Sequence, residues 1–162
     1  MLVLSAAWPA HAPLAVVQTV SCQQTGAGTS CTTAGVTTTT GNLFVASSGY
    51  CCAAFVSVSD NKSNTYANAV PEVSQDSGLG RQDYKENGAG GASHTFTFTG
   101  DSGGLFLTFS VTEISGAATS SALDQVKSAT TSVSGTSHTT GNTSTTTQAN
   151  EILVGFGSSI FA

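Results

Sequence analysis

The chain has 162 residues, a formal net charge of −5, and 8% charged against 39% hydrophobic residues. That length suits one domain around one core, and the apolar fraction excludes a disordered chain. Lys62, Arg81, Lys85 and Lys127 are the only Lys and Arg residues, so there is no basic stripe to neutralise a phosphate backbone and nucleic acid is excluded as a partner class.

The chain opens on the apolar run Leu2 to Trp8, followed by the small-x-small sequence Ala10-His11-Ala12. Residues 1–12 read as the remnant of an export signal, which leaves 13–162 as a single domain. No apolar run approaches the ~20 residues of a membrane span. Strands are expected over Leu14–Val20, Cys31–Thr40, Leu43–Ser48 and Ala53–Ser59, with a two-residue hairpin turn at Gly41-Asn42. From Ser57 an alternating strand runs into Asp60-Asn61-Lys62-Ser63-Asn64 and out again at Thr65-Tyr66, which predicts a β-hairpin tip. Thr65–Val73 and Arg81–Lys85 follow, and Glu86–Ser93 reads as a Gly-rich connector.

In His94–Thr99, Phe96 and Phe98 share one face. Across Gly100–Gly104, the stretch Leu105–Ile114 puts Leu105, Leu107, Phe109 and Val111 on one face, so the two runs read as a half-buried hairpin. Beyond Gly116 weak strands are expected near Lys127–Ser134 and Ser144–Gln148, then a final apolar strand over Glu151–Phe161. That last strand reads as an edge awaiting a partner or as the sign of a sandwich lacking its last strands. Only Ser120–Ser128 has a helical reading, and it is short. About ten short strands with frequent turns indicate an all-β, two-sheet antiparallel β-sandwich, jelly-roll or immunoglobulin-like.

Cys22 and Cys31 bracket a Gly-bearing loop and are candidates for a disulfide. Cys51 and Cys52 are adjacent, so in a strand they point to opposite faces and at most one pairs readily across the core. C-x-x-C spacing is absent, which disfavours a four-thiolate zinc site.

Three constellations have chemical potential. Gly100-Asp101-Ser102-Gly103-Gly104 spells a serine-protease nucleophile loop, but no histidine stands in a matching context and the same residues are good turn formers, so a serine hydrolase is the least favoured reading. Asp60, Asn61 and Asn64 offer oxygens for Ca²⁺, although the D-x-[DN]-x-[DN]-G loop is not matched and Asx residues equally form turns. Tyr50, Tyr66 and Tyr84 are the aromatics a glycan-binding platform would use, or they pack into the core; no other cofactor is expected.

Several stretches resemble a family of bacterial secreted β-sandwich domains of surface and multidomain extracellular proteins. They are Gly41-Asn42-Leu43-Phe44-Val45, similar to T-x-G-N-L-L-V; Val58 to Tyr66, similar to V-x-D-x-x-G-N-x-Y; Thr95–Thr99; Ser115-Gly116; Leu123-Asp124-Gln125; and Thr146 to Gly155. Ser63 departs from the family's Gly, which questions a φ > 0 turn there. Members are largely uncharacterised, so the resemblance implies an extracellular sandwich and little about ligand. The expected function is a non-catalytic structural or adhesive module at the cell surface, self-assembling or binding a neighbouring protein by strand pairing. The alternative is a carbohydrate-binding module.

Overall fold

Alternating β-branched, aromatic and hydroxylated residues favour half-buried strands, and ten form between residues 15 and 115 of the computed structural model. The structure describes residues 13–26, 28–52, 54–75, 78–104, 106–130, 139–147 and 150–158. The strands are β1 (Ala15–Gln24), β2 (Gly28–Thr32), β3 (Val36–Thr38), β4 (Leu43–Cys51), β5 (Phe55–Asp60), β6 (Ala67–Gln75), β7 (Gly78–Lys85), β8 (Gly91–His94), β9 (Phe96–Gly104) and β10 (Leu107–Ser115). All pairings are antiparallel: a five-stranded sheet β1-β10-β4-β7-β6, a three-stranded sheet β2-β9-β5 and a two-stranded β3-β8. The fold is therefore all-β, and among the described residues no helix forms.

The two smaller sheets lie end to end. Thr33 joins them, its N–H donating to the Phe96 carbonyl at 2.9 Å and its hydroxyl accepting the Phe96 N–H at 3.1 Å. The core forms where the large and small sheets face each other: Phe44, Ala46 and Tyr50 of β4 and Leu107, Phe109 and Val111 of β10 meet Cys31 of β2 and Phe96 and Phe98 of β9. Each large side chain buried here is worth about 1.5–3 kcal/mol. A disulfide between Cys22 of β1 and Cys31 of β2 ties the two sheets, and Cys51 is bonded to Cys52. Both pairs fit a non-reducing compartment, and the second corrects the expectation that Cys51 and Cys52 would point apart.

Most expected strands form, but their pairing differs. β9 and β10 are not a hairpin: β9 lies between β2 and β5, whereas β10 lies between β1 and β4 in the other sheet. Gly41-Asn42 and Asp60–Tyr66 likewise join strands that do not pair with each other, so both are crossings and not hairpin tips. Alternation decides which face of a strand is buried and is silent about its neighbour. The run Cys31–Thr40 splits into β2 and β3, the connector ends in β8, and Gly100–Gly104 continues β9. Among the described strands, only β6 and β7 are adjacent in the chain and paired in the same sheet.

Beyond β10 none of the described residues is in a strand, which corrects the expected strands at Lys127–Ser134, Ser144–Gln148 and Glu151–Phe161 as far as they are described. The segment is tethered instead. Glu86 accepts the Ala122 N–H at 2.9 Å, and Asp124 accepts the Thr147 N–H at 2.7 Å. Phe156 lies on the outer face of the large sheet: a Cβ on Gly49 would come within 3.0 Å of its ring, and one on Gly80, the cross-strand partner of Gly49, within 3.8 Å. The expected signal remnant, 1–12, lies outside the described residues.

Candidate functional site

Two polar clusters stand out, one sealed and one open. The sealed one is built on Asp60, the last residue of β5. Its Oδ1 accepts the Lys62 N–H at 2.9 Å and the Asn64 N–H at 3.1 Å, and its Oδ2 accepts the Asn64 amide and the Tyr66 hydroxyl, both at 2.8 Å. His94 Nε2 lies 3.1 Å from the same Oδ2, within ion-pair range though not aligned as a hydrogen bond, and both side chains are closed to solvent. On its other side His94 Nδ1 meets Thr38 Oγ1 at 2.7 Å, and its ring stacks on Phe96 with centroids 4.1 Å apart. Burial raises the Asp60 carboxyl pKa, but the bonds from Asn64, Tyr66 and Lys62 outweigh it and hold the group below the usual aspartate value. Burial, and next the Asp60 charge, raise the Tyr66 phenol.

The local sequence explains the cluster. An Asp with Asn four residues on is the raw material of an Asx-type loop that folds back on its own backbone. Ser63 takes φ 63°, so a left-handed turn forms there without a Gly.

The proposed Ca²⁺ ligands are thereby accounted for. Asp60 and Asn64 are brought together but spend their oxygens on protein donors, Asn64 Oδ1 accepting the Ala89 N–H at 2.8 Å. Asn61 is turned elsewhere, accepting the Thr95 N–H at 3.1 Å and donating to the Ser93 carbonyl at 2.8 Å.

The three tyrosines form no common platform. Tyr50 is buried, its ring 5.0 Å from Phe98 and its hydroxyl donating to Glu72. Tyr84 sits on β7 opposite Val45, and Tyr66 lines the open cluster. In the Gly100–Gly104 stretch, Asp101 Oδ1 accepts the Ala54 N–H at 2.7 Å, while His94 is committed to the Asp60 cluster.

The open cluster is a groove of about 310 Å³ lined by Phe55 to Val58 of β5, by Asn64 to Tyr66, and by Arg81 and Asp83 of β7. It runs along the outer edge of β5, which among the described strands pairs only with β9. Arg81 and Asp83, two residues apart on a strand, share a face. Arg81 Nε and Nη2 grip the Asp83 carboxylate at 2.7–3.0 Å, and the guanidinium carbon lies 3.6 Å from the Phe55 ring centroid. The bond to Asp83 raises the Arg81 pKa further. Asp83 is buried, and Asn68 of β6 holds the Gln82 carbonyl beside it at 3.2 Å. Glu72 of β6 reaches the Phe55 N–H at 3.4 Å. Neither Phe55 nor Arg81 was expected from sequence as a site residue. The available signal was an Arg-x-Asp pair on one face of a strand in a chain poor in charge.

A third polar cluster is structural: buried Glu113 of β10 accepts from Gln18 at 2.6 Å, from the Thr39 N–H at 2.7 Å and from Asn42 at 2.7 Å, linking β1, β10 and the β3–β4 crossing. Comparison with protein-family models, curated proteins and solved structures found no match.

Proposed function

We propose that the chain is a non-catalytic, extracellular adhesive or structural module of jelly-roll type that acts by holding a partner in the groove beside β5. Strand order supports the jelly-roll assignment. With collinear β2–β3 and β8–β9 each counted as one strand, the large sheet runs first, eighth, third, sixth and fifth, and the small sheet second, seventh and fourth. This is the two-Greek-key order with the fifth strand drawn to the edge of the large sheet. The disulfides and the Thr/Ser-rich, charge-poor composition support an extracellular setting and the resemblance to secreted bacterial sandwich domains.

The observation that carries the reading is the groove itself, preformed and held by the Arg81–Asp83 pair, while the Asp60 and Glu113 carboxylates are occupied internally. Pockets with a few fixed polar groups are the default place to look for a ligand. Fluorescently labelled protein should adhere to intact bacterial cells, and a variant blocked in the groove, Thr65→Trp, should not. Equal adhesion by both proteins would defeat the reading.

Self-assembly through strand pairing is the second reading, favoured by the open edge of β5. It requires filaments or discrete oligomers in negative-stain images; a monodisperse monomer at high concentration rules it out. The apolar C-terminal stretch no longer argues for it, because Phe156 already rests on Gly49 and Gly80.

A further inference from the structure

We infer that the groove beside β5 binds a neutral saccharide, about one or two sugar residues at a time. The inference rests on the adhesive reading above and names its ligand. In a full jelly roll the fourth strand of the small sheet would lie beside β5 and cover the inner face of β7 and β6. Here β6 is paired with β7, so among the described residues no strand fills that position.

The chemistry of that face identifies what belongs there. A face meant to receive a strand would present apolar side chains. This one presents the Arg81–Asp83 pair, with the Glu72 carboxylate reaching across from β6 to the Phe55 N–H. A peptide strand laid over it would strip water from Arg81 and Glu72 without replacing it, which is unfavourable. A saccharide brings hydroxyls that both donate and accept, and so matches a mixed lining.

Charge narrows the class further. Arg81 is the one cation among the lining residues, and Asp83 already holds it, while Asp60 and Glu72 lie close by. Uronic, sialic or sulfated sugars would meet a carboxylate-rich surround with no spare cation. The remaining features suit a neutral ring. The guanidinium laid 3.6 Å over Phe55 makes a flat patch, Val56 offers exposed apolar surface to sugar C–H faces, and the hydroxyl-bearing Ser57 and Thr65 are among the lining residues. A volume of about 310 Å³ is at the lower end of small-ligand sites, which fits a short stretch of glycan in an open-ended groove.

The test is calorimetric titration of the wild type, Arg81→Ala and Ser57→Gln with neutral, uronic or sulfated, and free-amine oligosaccharides. An extended apolar peptide serves as a probe of strand addition, and circular dichroism confirms folding. The expected result is saturable binding of at least one neutral saccharide, weakened at least about tenfold in both variants. Preference for a charged saccharide or for the peptide would overturn the inference while leaving the adhesive reading intact, as would undiminished affinity in the folded variants. Absence of any neutral-saccharide binding would also overturn it. Should Arg81→Ala not fold, Ser57→Gln, which adds bulk without charge at the β5 edge, decides the matter. Failure of the adhesive reading is seen separately, in adhesion by the Thr65→Trp protein.

Discussion

Replacing Asp60 with Ala removes one side chain and strands four donors, the N–H groups of Lys62 and Asn64, the Asn64 amide and the Tyr66 hydroxyl, and takes the carboxylate away from His94 Nε2, 3.1 Å off. The two main-chain groups lie in a surface crossing and can be rehydrated. The phenol and the imidazole are packed against core aromatics and are less easily rescued. A buried polar group left unpaired costs about 1–3 kcal/mol. Because more than one covered group loses its partner, the upper end applies, and Asp60→Ala is expected to cost about 3 kcal/mol. With a urea m-value near 2 kcal/mol/M, that is a fall in the unfolding midpoint of about 1.5 M at unchanged m.

Acid should expose the same interaction. Asp60 has a folded pKa below its unfolded value of about 3.9. Its contribution is therefore complete above the unfolded value and lost as pH falls through the folded one. The wild type should lose this stability in acid, and the gap to Asp60→Ala should narrow as pH falls below the unfolded value. A loss below about 1 kcal/mol at pH 7, or a gap that does not change with pH, would refute the account of Asp60 as the centre of a buried network.

Ser63→Gly relieves a left-handed residue at φ 63° on an exposed turn, and thermal melting should show stabilisation of up to about 1 kcal/mol, reduced by the greater freedom of Gly when unfolded. Removing the Cys22–Cys31 link by replacing both with Ser frees a loop of sequence separation 9, worth about 2.6 kcal/mol by loop entropy, readable in urea titrations. Gly90→Ala would place a Cβ 2.5 Å from the Thr39 carbonyl carbon and 2.6 Å from the Thr40 nitrogen, backbone atoms that cannot step aside. A loss of about 1–3 kcal/mol is expected, and an unchanged melting temperature would show that the β3–β8 end is more pliable than it looks.

How much of this was legible in sequence differs between strand and site. The faces of β9 and β10 were readable because Phe96, Phe98, Leu107, Phe109 and Val111 repeat every second residue, and all five are buried. Their partners were not, since alternation is a property of one strand and pairing of two. Sequence grouped Asp60 and Asn64 with Asn61 as candidate cation ligands and Tyr66 with the other tyrosines, so the cluster they share was only half legible. Their meaning changed when the loop proved to fold its acceptors inward onto its own donors. The groove was invisible for a different reason: Phe55 and Arg81 are 26 positions apart and meet only because β5 and β7 belong to facing sheets. The Gly-rich connector misled for a local reason, because Gly88 and Gly90 are demanded by the Phe44 ring and by the Thr39–Thr40 backbone and not by looseness.

The place of β10 bears on how the molecule is made. It lies between β1 and β4, with Ala15 opposite Ser115 and Leu43 opposite Ile114, so the large sheet cannot close until the last strand arrives. At synthesis rates of about 5–20 residues per second, β1 would wait at least ~5 s for its only partner. During that wait the exposed Val16 and Val17 have little charge nearby to deter association. Folding dominated by such distant contacts is slow, on the millisecond-to-second scale even for the finished chain. The vulnerable species is thus the nascent chain before β10 has emerged, and holdase chaperones acting at that stage should raise the yield of folded protein more than any change made to the folded surface.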